Sequence, residues 1–322
     1  MSFLWFSAAA MSAAAMYMNP VPQPGEEGYR PQPKHYFRIT AENDSAFGRD
    51  GNYTSGVRLD YTRRLANGDA WGLSLTQDIY TPETHTRGNV AGQQAYAGLM
   101  ALGVGYMFCG EHVGCITELL LGTTGNPSLA RYTQNSLHDS FGMDSWDGWA
   151  SQVQTEAMVQ LTSRQDFRLP FLEFTSPSGW QTDALFYTRE EVGAMMISAG
   201  AGISFRIGRN LPQTGDVAGN QRAAYALSTT ERPEYKREAL SYYFMASFYA
   251  AYVARDFAID GGIVHHFDQT CSRVPWQTQT RVGIGATYQG IDYFLGALFY
   301  SDRYRTQDWA GRVGTFSLTW SW

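Results

Sequence analysis

The chain closes on Gly311-Arg312-Val313-Gly314-Thr315-Phe316-Ser317-Leu318-Thr319-Trp320-Ser321-Trp322. Phe316, Leu318, Trp320 and Trp322 share one parity; Thr315, Ser317, Thr319 and Ser321 share the other. Side chains alternate faces along a strand, so this stretch reads as a strand with one apolar and one hydrophilic side. A final strand that ends on an aromatic is a feature of outer-membrane barrels, where aromatics form girdles at the membrane interface.

The same period of two recurs upstream. Val57, Leu59 and Tyr61 alternate with Gly56, Arg58 and Asp60; Trp71, Leu73 and Leu75 with Gly72, Ser74 and Thr76; Val282, Ile284, Ala286 and Tyr288 with Arg281, Gly283, Gly285 and Thr287. Arg58, Asp60 and Arg281 would be costly against lipid but are stable in a wet lumen. A soluble β-sandwich also alternates, but it does not usually carry aromatics and glycines this densely. The fold expected is all-β, a transmembrane antiparallel barrel of about twelve strands of roughly ten residues each, with a short helix in an extracellular loop. The segments are 36–43, 54–64, 71–80, 96–107, 115–123, 152–163, 168–176, 195–207, 241–256, 276–288, 291–302 and 311–322. With a periplasmic start, 44–53, 81–95, 124–151, 177–194, 257–275 and 303–310 face outward. The polar stretch 208–240 lies on the short-turn side and has no evident chemical role.

Composition agrees. Of 322 residues 33 are glycine and 17% are charged, against an ordinary charged share of about 25%. The net charge of −6 argues against a nucleic-acid partner, whose affinity comes largely from Lys and Arg on phosphates. No uninterrupted apolar run approaches the ~20 residues of a spanning helix. Residues 1–18 read as a signal-peptide-like apolar segment without the usual basic start, with Ala13-Ala14-Ala15 as a small-residue cleavage site. A Pro-rich spacer covers 19–35, and the barrel takes 36–322. Export permits disulfides, and Cys109 and Cys115 flank a turn that such a bond would staple, leaving Cys271 over.

Two outward segments carry residues a barrel wall does not need. After the first strand, Glu42, Asn43, Asp44 and Asp50 supply hard oxygen ligands within one loop, suited to Ca²⁺, though without EF-hand spacing. In the outward segment 124–151, Leu129 to Phe141 reads as a short helix with His138 near its end, among amides and carboxylates. A histidine so placed is either a general base or a plain surface residue. No Gly-X-Ser-X-Gly elbow is present.

Taken in order, Asn43-Asp44, Tyr53-Thr54-Ser55-Gly56, Gln77-Asp78-Ile79-Tyr80-Thr81-Pro82, Ala95-Tyr96-Ala97-Gly98, Gln134-Asn135-Ser136-Leu137-His138, Gly148-Trp149 with Gln152, and Gly200-Ala201-Gly202 resemble the outer-membrane lipid A 3′-O-deacylases, the LpxR family. The resemblance runs from about residue 36 to the last strand. It implies a twelve-stranded barrel in the outer membrane of a Gram-negative bacterium. The implied activity is Ca²⁺-dependent hydrolysis of the ester that holds the 3′-acyloxyacyl group on lipid A, by a mechanism like that of secreted phospholipase A2. It places His138 as the base that activates water, and Asn43 with Thr54 as further catalytic groups. Asp44 and Asp144 become metal ligands, and Arg87 a contact for a glucosamine phosphate. The implied partners are lipopolysaccharide and the membrane, with the chain a monomer. Gln93-Gln94 stands where the family often has Asp-Arg, and Asp144 where a Glu is sometimes found. The alternatives are an inactive barrel, serving as a pore or lipid-binding surface, and an outer-membrane phospholipase.

Overall fold

A computed structural model describes residues 32–48, 50–84, 88–110, 112–142, 145–212, 219–225, 235–265 and 271–322. The signal-like segment and most of the Pro-rich spacer lie outside the described residues.

Thirteen strands follow in order: β1 (His35–Asn43), β2 (Asn52–Arg64), β3 (Ala70–Thr81), β4 (Ala97–Cys109), β5 (Val113–Thr124), β6 (Ala157–Arg168), β7 (Phe174–Thr175), β8 (Trp180–Gly193), β9 (Met196–Arg209), β10 (Ser241–Asp256), β11 (Trp276–Tyr288), β12 (Ile291–Tyr300) and β13 (Gly311–Ser321). Each long strand pairs antiparallel with its neighbours. β13 pairs with β1, and β6 pairs with both β5 and β8, so the sheet closes on itself. β7 is a two-residue flap on β8 outside that circuit, which leaves twelve strands in the wall.

The parity expected from sequence sets inside from outside. In β13, Thr315, Ser317 and Thr319 are buried, whereas Phe316 and Trp320 are exposed. In β1, Arg38, Thr40 and Glu42 are buried between the outward Phe37 and Ile39. The apolar belt faces lipid, and the charges inside are paired: Arg38 with Asp60 at 2.9 Å, Arg58 with Glu118 at 2.9 Å and Arg281 with Glu42 at 2.7 Å. Pairing is what makes such burial tolerable, because a lone buried charge costs several kcal/mol.

Two strands lie elsewhere than the sequence indicates. The segment 152–163 is realised as β6 at Ala157–Arg168, and 168–176 falls in the turn before β8. The expected outer loop 177–194 is instead mostly strand β8, joined to β9 by a tight turn. The cause is the weak lipid face of β8. Its outward positions include Thr182, Thr188 and Glu190 beside Phe186 and Val192, so the apolar alternation is blurred.

The expected disulfide is also absent: Cys109 and Cys115 are free. Cys109 pairs across the ladder with Gly114, so Cys115, one residue on, points to the opposite face of the sheet.

The short turns β2–β3, β4–β5 and β11–β12 share one end, the periplasmic end in barrels of this kind, and most long connections lie at the other; the tight β8–β9 turn and the long connection after β9 are the exceptions. From the short-turn end, the connection after β9 sends residues 219–225 back into the lumen. Ala223 N donates to Glu118 Oε2 (2.6 Å) and Tyr225 OH to Glu118 Oε1 (2.7 Å). Arg222 pairs with Glu191 on β8 at 2.9 Å, while Asn220 Nδ2 donates to Asp78 on β3 at 2.8 Å. The segment therefore bridges facing walls, and the stretch without evident role is an internal plug. Gly72 and Gly105 make room for it, since a Cβ at either would come within 2.5 Å of the Tyr225 ring.

Candidate active site at the outer rim

Helix α1 (Ala130–Phe141) lies in the outward connection between β5 and β6. Gly142, at φ 68°, ends it, its N–H reaching the carbonyls of Asp139 and His138. Ala130, Gln134 and His138, at successive i+4 positions, form its buried stripe. That stripe packs on the wall. A Cβ on Gly98 would sit 2.3 Å from Ala130 Cβ, so Ala95-Tyr96-Ala97-Gly98 needs its glycine for the helix to approach. Ile79, Tyr96, Ala130, Trp146 and Trp149 make one apolar cluster beneath it.

His138 faces the loop after β1. Its Nε2 lies 3.1 Å from Asp50 Oδ2, and its ring meets Trp146 edge-on at 4.9 Å. Gln134 Nε2, one helical turn earlier, is 2.9 Å from the same ring nitrogen and 3.3 Å from Asp50 Oδ1. Burial pushes Asp50 up to about 6, partly offset by the His138 charge. When Nε2 holds the lone pair, the Gln134 amide donates to it; when Nε2 carries the proton, the imidazole donates to Asp50, Gln134 gives up its bond to that nitrogen and Nδ1 keeps a lone pair. This is the arrangement by which a carboxylate orients a histidine base.

Asp44 opens the helical turn Asp44–Phe47, which Asn43 caps by accepting from Ser45 N at 2.8 Å. Asp44 Oδ2 accepts from Gly51 N at 2.8 Å, whereas Oδ1 is buried with no hydrogen-bond partner. Burial, with the nearby Asp50 adding to it, raises its carboxyl from an ordinary 3.8 to about 9. A buried carboxylate oxygen without a partner is a costly group that a cation would satisfy. Among the described residues, no three His, Cys, Asp or Glu side chains cluster for a metal. Ca²⁺ at Asp44 would draw its remaining oxygens from backbone carbonyls, amides, water and substrate, as Ca²⁺ readily does.

The structure thus brings His138, Asp50 and Asp44 to one rim. Of the other expected residues, Thr54, Asn43 and Glu42 are described. Thr54 is buried at a bulge in β2, its hydroxyl 2.6 Å from Thr81 Oγ1. Asn43 uses Oδ1 for its cap, which leaves the Nδ2 hydrogens as its remaining donors. Glu42 turns inward to Arg281, so it is no ligand for the loop. Arg87 and Asp144 lie outside the described residues. Gln134 was missed as a site residue, although its position four before His138 on a helix was the available signal.

A family model for the outer membrane protein LpxR matches residues 3–322. The chain belongs to the LpxR family. Its place is the outer membrane of a Gram-negative bacterium. LpxR from Salmonella typhimurium shares the fold at a TM-score of 0.76 and 17% identity, covering 89% of this chain and 100% of that one. The translocator domain of autotransporter NalP from Neisseria meningitidis matches at a TM-score of 0.45 and 7% identity, over 100% of this chain and 96% of that one. The β domain of the Bordetella autotransporter BrkA matches at 0.40 and 12%, over 91% and 100%. No curated protein matches the sequence.

Proposed function

We propose that this LpxR-family barrel is a lipid A 3′-O-deacylase that cuts the ester holding the 3′-acyloxyacyl group, with His138 as base and Ca²⁺ as cofactor. The observation that carries the proposal is the meeting of His138, its carboxylate partner Asp50 and the unpartnered Asp44 oxygen at the outward rim. The outer-leaflet lipid lies at that level.

His138 Nδ1 takes a proton from water as the oxygen attacks the ester carbonyl carbon, and Asp50 stabilises the resulting imidazolium. A Ca²⁺ on Asp44, when bound, supplies polarisation of the carbonyl and offsets the oxyanion. Asn43, which caps that loop, would donate to that oxygen through Nδ2, a type of contact worth roughly 3 kcal/mol. As the tetrahedral intermediate collapses, the imidazolium returns its proton to the departing sugar oxygen. The products are the free acid and the 3′-hydroxyl. Arg87 is assigned to a phosphate of the substrate and Asp144 to the metal by family resemblance.

A pore is disfavoured because residues 219–225 bridge the lumen. The test is to express the chain in cells with hexa-acylated lipid A and weigh the extracted lipid. Loss of one acyloxyacyl group supports the proposal. An unchanged mass with folded protein in the membrane counts against it, and hydrolysis of phospholipid alone would transfer the site to that substrate.

A further inference from the structure

The plug touches the lumen wall directly beneath the rim loop. Asn220 Nδ2 donates to Tyr53 OH at 2.9 Å and to Asp78 Oδ1 at 2.8 Å, and Asn220 N reaches Glu42 Oε1 at 3.2 Å. Tyr53 OH in turn donates to Glu42 Oε2 at 3.1 Å. Glu42 is the second residue before Asp44, and Tyr53 is the second after Gly51, whose N–H holds the Asp44 carboxylate. One residue from the periplasmic connection therefore ties both ends of the loop that bears Asp44 and Asp50, bonding Glu42 through its backbone N–H and Tyr53 through its side chain.

Two features of β2 serve this contact. The bulge between Tyr53 and Ser55 shifts the register by one residue, which turns the Tyr53 ring toward the lumen, beside Tyr80. Gly56 then leaves the space: a Cβ there would lie 1.9 Å from Tyr53 Oη and 2.3 Å from Asn220 Nδ2. The glycine of Tyr53-Thr54-Ser55-Gly56 and the bulge at its threonine are explained by the plug more directly than by the wall.

We propose that Asn220 is a positioning residue for the rim site, holding the Asp44 and Asp50 loop in register from inside the barrel. Its effect on catalysis rests on the deacylase reading; its effect on the loop does not. The perturbations are Asn220→Ala, which removes the side-chain bonds to Tyr53 and Asp78 but keeps the N–H to Glu42, and Gly56→Ala, which crowds the contact. Tyr225→Phe serves as the control, because it loses the Glu118 bond deeper in the same plug. The full-length protein is used in detergent, with heat-modifiable gel mobility to verify the closed barrel.

In both Asn220→Ala and Gly56→Ala, hydrogen exchange should quicken about tenfold or more in peptides covering Asp44 and Gly51, with peptides from α1 unchanged. On lipid A, kcat should fall about ten- to hundredfold with KM retained, since misplacement near 1 Å costs on that order. Tyr225→Phe should match the wild type in both readouts. Unchanged exchange in the loop of folded Asn220→Ala overturns the proposal, as does an equal loss in Tyr225→Phe, which would make the plug a general support. Faster loop exchange in a chain whose wild type deacylates nothing would sustain the positioning role and reject the deacylase.

Discussion

The raised carboxyl of Asp44 makes the response to Ca²⁺ depend on pH in a defined direction. The folded protein holds the Asp44 proton up to about 9, whereas an unfolded chain releases it near 3.8. Between those values the folded state binds more protons, so without metal this group lowers stability as pH rises, by at most about 1.4 kcal/mol per unit. A cation on Oδ1 requires the carboxylate. At pH 7, two units below the folded value, ionising it costs about 3 kcal/mol, which subtracts from the affinity for Ca²⁺. Ca²⁺ binding should therefore release one proton, and the apparent Kd should fall about tenfold per unit from pH 6.5 to 8.5 before levelling off. Titration calorimetry in buffers of different ionisation enthalpy measures both quantities. Asp44→Asn preserves the shape and should abolish binding. An apparent Kd that is flat across this range, or an Asp44→Asn protein that binds as the wild type does, would refute the placement of the cation on this carboxylate.

His138→Ala should lower deacylation about 10²- to 10⁴-fold while the closed barrel persists on a semi-native gel. Asp50→Asn leaves the packing but removes the charge that orients the imidazole, and a loss of similar order is expected in the same lipid mass assay. Glu118→Ala strips the plug of its acceptor and leaves Arg58 buried beside Asp60 alone, so urea unfolding should show a loss of about 3–5 kcal/mol. Thiol titration of the unfolded, unreduced protein should detect three thiols, where a Cys109–Cys115 bond would leave one.

Most of the wall was legible because its strands carry clean alternation. β2, β3, β11 and β13 announce themselves by a period of two, and the inward Arg58 and Asp60 of β2 and Arg281 of β11 are found paired in the lumen. β8 was not legible, since threonine and glutamate on its outward face weaken the contrast on which the reading depends. The plug was invisible for a different reason. Its residues have no internal period, and what holds them is Glu118, Asp78 and Glu191 on three separate strands. At the site, His138 and Asp44 could be singled out by residue type and setting. That Asp50 is the histidine's partner, while Glu42 belongs to Arg281, is decided by tertiary placement. Local sequence contains no information on which of several acids a distant imidazole will meet.

The pairing of β1 with β13, from Tyr36↔Ser321 to Asn43↔Gly314, constrains how the molecule is assembled. It joins the most distant strands of the chain, the closure with the greatest entropic cost, so it is expected to form last. Residues 219–225 touch Arg38 and Glu42 on β1 as well as Glu191 on β8. Once the seam is shut they are encircled, and their connection reaches them through the short-turn end of the cylinder. Closing the seam and seating the plug are therefore coupled, because β1 is at once one lip of the seam and a wall that Ala224 and Asn220 bond, so each event stabilises the other.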